Sequence, residues 1–188
     1  RHTSHLLGLY PFRQITAEKT PELAAAAEKS IRVRYAAYEM TSWGMAMYLG
    51  YEARLKQQKA CWEGIRTVFR ELVKPNLVSV MGDENAMWQG TWELDGNAGI
   101  TAAMTELMIQ CDEDEVWVLP ALPEEWASGK LTGISLHHAR TADLYWENCE
   151  LTRLVIHPEK DGRIRIHGKN RETDVTLHAG EDFEYRRK

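Results

Sequence analysis

Two short segments of this 188-residue chain combine side chains that could do chemistry. In the first, Arg1, His2 and His5 bring a guanidinium and two imidazoles to the start of an apolar stretch. The second segment, with the sequence ELDGN, spans residues 93–97 and precedes a helical pattern. Each segment sets polar groups beside turn residues, so each could line a pocket.

The residue types of the first segment favour a sugar site over a metal site. A guanidinium such as that of Arg1 is planar and carries several donors, so it can hold hydroxyl oxygens in fixed geometry beside His2. His2 and His5 are three residues apart and could ligate a metal, but no paired Cys or His has the spacing of the familiar zinc sites. Metal binding is therefore the minor alternative.

The second segment has two interpretations. Asp95 or Asn97 beside a helix start could simply cap unpaired N–H groups and tolerate a tight turn, and local physics favours this role. Alternatively, the two side chains face a pocket. Trp88 and Trp92 lie in the irregular segment leading into Asp95 and could stack on apolar sugar faces, whereas most of the other tryptophans are expected in the core.

Composition narrows the function classes. The chain is 44% hydrophobic and 27% charged, as expected of a soluble globular protein. Its net charge of −5 gives no general attraction to phosphate backbones or anionic lipid, so nucleic acid is disfavoured. The longest run without a strongly polar residue, 43–51, is about half of what a membrane-spanning helix needs. The 3 cysteines are widely spaced and cannot form a disulfide framework.

The first part of the chain is predicted to be helical. Thr20 and Pro21 mark a helix start, and this helix continues to about residue 38. Residues 43–51 are apolar nearly all round, which is typical of a helix buried on most sides. Helical spacing also predicts a third helix and a fourth one that starts at the turn 96–99. The predicted apolar face of the first helix consists of Leu23, Ala27, Ile31 and Tyr35, and that of the third consists of Cys61, Ile65, Val68, Phe69 and Leu72. The predicted apolar face of the fourth helix consists of Ile100, Ala103, Met104, Leu107, Met108 and Cys111.

An acidic run at residues 112–115 separates this helical pattern from a strand pattern. Turn signals then separate short strands, which predict an antiparallel β-sandwich. The strands are expected at 116–119, 131–137, 142–146, 151–157, 163–167, 173–178 and 183–186. The sequence thus predicts a mainly α part at residues 1–111 followed by a β part at residues 112–188.

Five segments in succession carry a family resemblance. They are RHTSHLLGLYPFRQIT, TPELAAAAEKSI, TSWGMAMYLGYEARL, WELDGNAGITAAMTELMIQ and EVWVLPALPEEWASGKLTGI. In this order they resemble the C-terminal portion of glycoside hydrolase family 95, a family of α-L-fucosidases and related α-L-galactosidases. The resemblance covers nearly the whole chain and weakens after about residue 158. It implies that residues 1–111 are the last helices of a six-hairpin α/α toroid and that the remainder is a C-terminal β-sandwich domain.

The resemblance also implies a mechanism, the inverting hydrolysis of a fucosidic bond. No cofactor or metal is expected. A glutamic acid protonates the leaving oxygen, and an asparagine polarised by an aspartate activates the water. Asp95 corresponds to that aspartate, and Arg1 and His2 correspond to a sugar-binding pair. Asn97 and Trp92 are the further residues expected to bind the substrate. The acid glutamate and the base asparagine belong to earlier parts of the family's catalytic domain.

The chain begins at Arg1 rather than Met, inside what reads as a structured motif, and is therefore expected to be a fragment. Its expected partners are a fucosylated or related glycan and the remaining N-terminal part of the same protein. Alone it should be inactive, and a toroid cut open should expose inner-helix surface such as residues 43–51. Family analogy favours a location outside the cytoplasm.

Two departures beside the expected sugar pocket leave the substrate open. Ala98 stands where the family usually has an aromatic residue, and residues 78–92 do not follow the family's usual short apolar approach. Fucose and the related galactose therefore remain alternatives. A catalytically degenerate, sugar-binding homologue is the main rival to an enzyme. A third possibility is an interaction fragment whose helices only support the sandwich.

Overall fold

The computed structural model describes residues 2–36, 41–81, 90–169 and 171–187. The chain divides into two units, Arg1–Glu106 and Leu107–Lys188. Helices occupy the first unit and strands the second, so the predicted order of helices followed by strands is confirmed. No helix within the described ranges has the length and apolar character to cross a membrane.

Four α-helices form, as predicted. They are α1 (Pro21–Ala36), α2 (Ser42–Arg54), α3 (Gln58–Thr67) and α4 (Leu94–Met108). A 3-10 turn at Ser4–Leu6 precedes them, and a π-helical stretch at Val68–Leu72 extends α3. Tertiary packing stabilises α1 and α2, since Leu6, Leu9, Ala27, Ile31 and Tyr51 form one buried cluster.

Helix α2 is buried on most sides, which confirms the prediction from its all-round apolar pattern. Met45, Ala46, Leu49 and Tyr51 are at most 5% exposed. The expectation that this segment would be open to solvent in the chain alone is therefore wrong, because the rest of the first unit covers it. Among the described residues, the large apolar side chains that are exposed lie elsewhere: Phe12, Leu23, Val33, Phe69, Leu77, Trp92 and Leu94.

The predicted core face of α1 is wrong at Leu23. This side chain is 54% exposed, whereas Ala24, Ala27 and Ile31 are buried. A strict four-residue repeat rotates about 40° per step around a helix, so Leu23 points away from the face that Ile31 shares with Ala24. Phe69, in the π-helical stretch, is likewise 49% exposed between the buried Val68 and Leu72.

Both ends of α4 differ from the prediction. The helix begins at Leu94 rather than at the turn 96–99, since the carbonyl of Glu93 already accepts the N–H groups of Gly96 and Asn97. It ends at Met108 rather than at Cys111, and residues Ile109–Asp112 form a strand. The apolar residues at this end fit both periods, and antiparallel pairing with the next strand decides between them.

The second unit contains two four-stranded sheets. The strands are β1 (Ile109–Asp112), β2 (Glu115–Val118), β3 (Gly129–Leu136), β4 (Arg140–Glu147), β5 (Glu150–Pro158), β6 (Gly162–His167), β7 (Glu172–Leu177) and β8 (Phe183–Arg186). The sheet orders are β1-β2-β6-β7 and β3-β4-β5-β8, with the β2–β6 pair parallel and the other pairs antiparallel. The seven predicted strands are present, and β1 is the strand that the sequence interpretation missed.

Buried residues from both sheets join in one core, as in a β-sandwich. Val116, Ile164 and Val175 come from the first sheet, and Leu144 and Ile156 come from the second. Trp117 and Trp146 are buried, at 8% and 4% exposure, as expected for core tryptophans, whereas Trp43, Trp62 and Trp126 are only half-buried.

Candidate functional site

The N-termini of α2 and α4 approach each other closely in the first unit. A side-chain carbon on Gly96 would overlap the hydroxyl of Ser42 and would lie 2.6 Å from Ser42 Cβ and 2.7 Å from Ser79 Oγ. One on Gly99 would lie 2.8 Å from Ala46 Cβ. Only glycine at these positions leaves space for the two first turns to meet.

Glu93 lies between the two helix starts. Its carboxylate Oε2 accepts hydrogen bonds from Ser42 Oγ at 2.5 Å and from the backbone N–H of Trp43 at 2.7 Å. Its own carbonyl accepts the first N–H groups of α4, so Glu93 occupies the N-cap position of that helix. One residue therefore caps α2 with its side chain and begins α4 with its backbone.

His2 lies against the start of α2. Its imidazole ring packs on the ring of Trp43 with centroids 5.2 Å apart and planes 58° apart. The carbonyl of His2 accepts a hydrogen bond from Arg34 Nη2 at 2.5 Å, while the residue as a whole is exposed. Its predicted neighbour Arg1 lies outside the described residues. His2 thus places an accessible imidazole beside Trp43, and the backbone N–H of Trp43 donates to Glu93.

Asp95 lies in the first turn of α4 and is exposed to solvent. A carboxylate at this place is stabilised by the positive end of the helix dipole. Since Glu93 occupies the N-cap position, Asp95 is not the capping residue that local physics favours. Its carboxylate is accessible for a role outside the helix.

Asn97 binds the segment in front of α4. Its Oδ1 accepts from the backbone N–H of Ser79 at 2.9 Å and from Trp92 Nε1 at 3.4 Å, and its Nδ2 donates to the carbonyl of Leu77 at 2.8 Å. These bonds engage the amide with the protein itself. Asn97 thereby holds residues 77–79 and Trp92 against the helix.

Trp92 presents an accessible ring next to this network. The residue is 59% exposed, and its indole N–H is fixed by Asn97. An indole held at one edge with an open face can stack on an apolar surface of a ligand. Trp88, the second tryptophan expected here, lies outside the described residues.

The structure thus connects His2, Trp92, Asp95 and Asn97 within the first unit. The linking residues are Trp43 and Glu93, whose roles the sequence interpretation missed. A signal for Glu93 was present, because it directly precedes an apolar helical run, but its carboxylate binds α2 about fifty positions earlier in the chain. Within the described ranges, no group of three or more His, Cys, Asp or Glu residues is placed to hold a metal ion.

Outside this site, the carboxyl group of Glu52 is buried and that of Glu106 is half-buried. Burial, reinforced by the charge of Glu28, raises the pKa of Glu52 to about 7. Burial also raises the pKa of Glu106, although the guanidinium of Arg54, with Nε 2.9 Å from Glu106 Oε2, opposes this shift. Both groups therefore affect stability through their desolvation.

Comparison with known sequences identifies the family. Residues 1–108 match the glycosyl hydrolase family 95 catalytic domain, and residues 110–187 match the glycoside hydrolase family 95 C-terminal domain. This chain belongs to glycoside hydrolase family 95. In this family 95 chain, the first match ends at the last residue of α4 and the second begins within β1.

Two curated relatives of the family 95 chain carry fucosidase names. Alpha-L-fucosidase 2 of Arabidopsis thaliana is 29% identical over 173 residues, which cover 88% of this chain and 20% of the relative. Probable alpha-fucosidase A of Aspergillus oryzae is 24% identical over 169 residues, which cover 79% of this chain and 22% of the relative. The family 95 chain thus spans about a fifth of the length of these relatives.

Proposed function

We propose that this chain is the C-terminal part of an inverting glycoside hydrolase that removes terminal α-L-fucosyl or related α-L-galactosyl residues from glycans. One observation carries the proposal: the accessible carboxylate of Asp95 lies in the first turn of α4, two residues after Glu93, which binds the start of α2 where His2 packs. Family membership and the names of the two relatives support it.

In this proposal, residues 1–111 supply the last helices of an α/α toroid, and residues 112–188 form the C-terminal β-sandwich domain. The remaining N-terminal part of the same protein completes the toroid and contributes the acid glutamate and the base asparagine. The other partner is a fucosylated or related glycan. The large apolar side chains exposed on the helical unit are consistent with contacts to further protein.

Asp95 acts through its charge. An asparagine amide is a weak base, so it needs an adjacent carboxylate to orient it and to take up the positive character that develops as water attacks. Inversion further requires that the acid and base groups leave room for the attacking water between them.

The other residues bind the sugar. The imidazole of His2, supported by Trp43, and the guanidinium of Arg1 hold substrate hydroxyl groups. The open face of Trp92 stacks on an apolar face of the glycan, and Asn97 fixes the edge of that indole. Because the Asn97 amide is engaged within the protein, we assign it to the substrate site through Trp92.

The test uses the full-length protein with an aryl α-L-fucoside and an aryl α-L-galactoside. We expect turnover of at least one, with the β-anomer as the first product by NMR, since inversion changes the configuration. Binding of the free sugar without turnover would instead support a catalytically degenerate homologue. A protein that neither binds nor hydrolyses these sugars would overturn the proposal.

A further inference from the structure

Glu93 is bonded to three separate segments of the first unit. Its carboxylate binds Ser42 and Trp43 at the start of α2, as described above. Its backbone N–H donates to the carbonyl of Ser79 at 3.1 Å, and its carbonyl accepts from Ser79 Oγ at 2.6 Å. Since the same carbonyl begins α4, Glu93 fixes the start of α4 relative to both α2 and Ser79.

The Glu93 carboxylate accepts from two donors at the start of α2 that the Thr41 side chain, which also caps this helix, does not bind. Thr41 Oγ1 accepts from the N–H of Gly44 at 3.0 Å, which leaves the N–H of Trp43 among the unbonded donors of the first turn. Ser42 is fully buried, so its hydroxyl also requires a partner. Glu93 supplies an acceptor for both, and its negative charge suits the positive end of the α2 dipole.

The two groups assigned to catalysis and sugar binding depend on this connection. Asp95 is two residues after Glu93 in the first turn of α4, and His2 packs on Trp43 in the first turn of α2. We propose that Glu93 is a positioning residue that holds Asp95 and His2 in their productive arrangement by joining the first turns of α2 and α4. This inference rests on the proposed function.

The expected consequence is kinetic. A general-base system tolerates little displacement, and an error of about 1 Å at the reacting groups can lower turnover by roughly a hundredfold. Loss of the Glu93 carboxylate should therefore lower kcat more than it changes KM, because the polarising charge of Asp95 contributes most in the transition state. A residue that only capped α2 would instead lower the melting temperature and leave kcat intact.

The experiment compares Glu93→Ala, Glu93→Gln and Thr41→Ala with the parent in the full-length protein, assayed well below each variant's melting temperature. Thr41→Ala is the matched control, because it removes a cap bond of the same helix without touching α4. We expect kcat to fall about tenfold or more in Glu93→Ala. We expect Glu93→Gln to recover most of this loss, because its amide oxygen can accept both hydrogen bonds. Thr41→Ala should lower the melting temperature with kcat and KM within about twofold of the parent.

If Glu93→Ala behaves like Thr41→Ala, with reduced melting temperature and parental kinetics, Glu93 is only a cap and the inference is wrong. Should Glu93→Ala fail to fold, Glu93→Asp takes its place, since it keeps the charge but withdraws it from Trp43. A folded Glu93→Asp protein with lowered kcat then supports the inference, and parental kcat overturns it. An inactive parent protein would overturn the proposed function and this inference with it, whereas an active parent with unaffected Glu93 variants overturns the inference alone.

Discussion

At the scale of single residues, the role proposed for Asp95 rests on its charge rather than on its size. Asp95→Asn keeps the shape of the side chain but removes the charge that would polarise an asparagine base. In the full-length protein we expect kcat to fall roughly a hundredfold or more, the scale of a lost general-base contribution. Stability should change by at most about 1 kcal/mol, since Glu93 occupies the N-cap position of α4. Kinetics on a fucosylated substrate and thermal unfolding, measured side by side, test this prediction; parental turnover would remove Asp95 from the mechanism.

Glu52 makes stability depend on pH. Its residue is 5% exposed, and burial raises its pKa from 4.5 to about 7. Between these two pKa values, the folded state holds a proton that the unfolded state has released. The stability gained from this protonation is fully present below pH 4.5 and is lost as the pH rises through about 7. The difference between the two pKa values corresponds to about 3 kcal/mol in the free energy of unfolding.

Glu52→Gln should accordingly flatten the fall in stability across this range and raise the melting temperature at pH 8, because the amide has no charge to desolvate. Thermal unfolding of the full-length protein between pH 5 and pH 8 measures the effect. Glu63→Gln is the control, since Glu63 is an exposed carboxylate on α3. The same pH profile in parent and Glu52→Gln would show that Glu52 does not contribute.

At the scale of elements, the contact between α2 and α4 depends on the absence of a side chain at Gly96. In Gly96→Ala the new methyl group would overlap Ser42 and approach Ser79 Oγ, so one helix start must move. We expect a loss of about 1–3 kcal/mol in stability, the usual cost of overpacking, although alanine is the better helix former. We also expect lowered kcat, because the movement displaces Asp95.

Ala102→Ser is the control for the Gly96 prediction, since Ala102 is exposed on the same helix. It should change stability by no more than about 0.5 kcal/mol and leave the kinetics unchanged. Circular dichroism melts and kinetics of both variants in the full-length protein provide the comparison. A Gly96→Ala protein as stable and active as the parent would show that the helix starts can separate without consequence.

At the scale of the whole molecule, residues 1–188 carry only part of the proposed catalytic machinery. We expect this chain alone to release no fucose from an aryl fucoside, because the proposed function assigns the acid and the base to other parts of the full-length protein. We also expect concentration-dependent light scattering, since large apolar side chains such as Leu23, Val33 and Trp92 are exposed. The full-length protein under the same conditions is the control, and measurable turnover by the chain alone would contradict the expectation.

Local patterns in the sequence determined the order of helices and strands. Helical spacing, proline and capping residues act over a few positions, so they predicted α1 to α4 and seven strands. The same range of information identified the segment that contains Asp95. Prediction from local patterns failed where two patterns compete. Ile109–Asp112 continue the helical repeat of α4, but they pair with β2 as a strand.

Tertiary structure alone decided what joins the candidate site. Glu93 binds Ser42 and Trp43 across about fifty residues of chain, and His2 reaches Trp43 across about forty. No periodicity or turn signal extends that far, because such contacts depend on how closely α2 and α4 approach. Long-range contacts likewise determine that Asn97 binds Leu77, Ser79 and Trp92. Local chemistry therefore selected the residue types, and long-range packing placed them against one another.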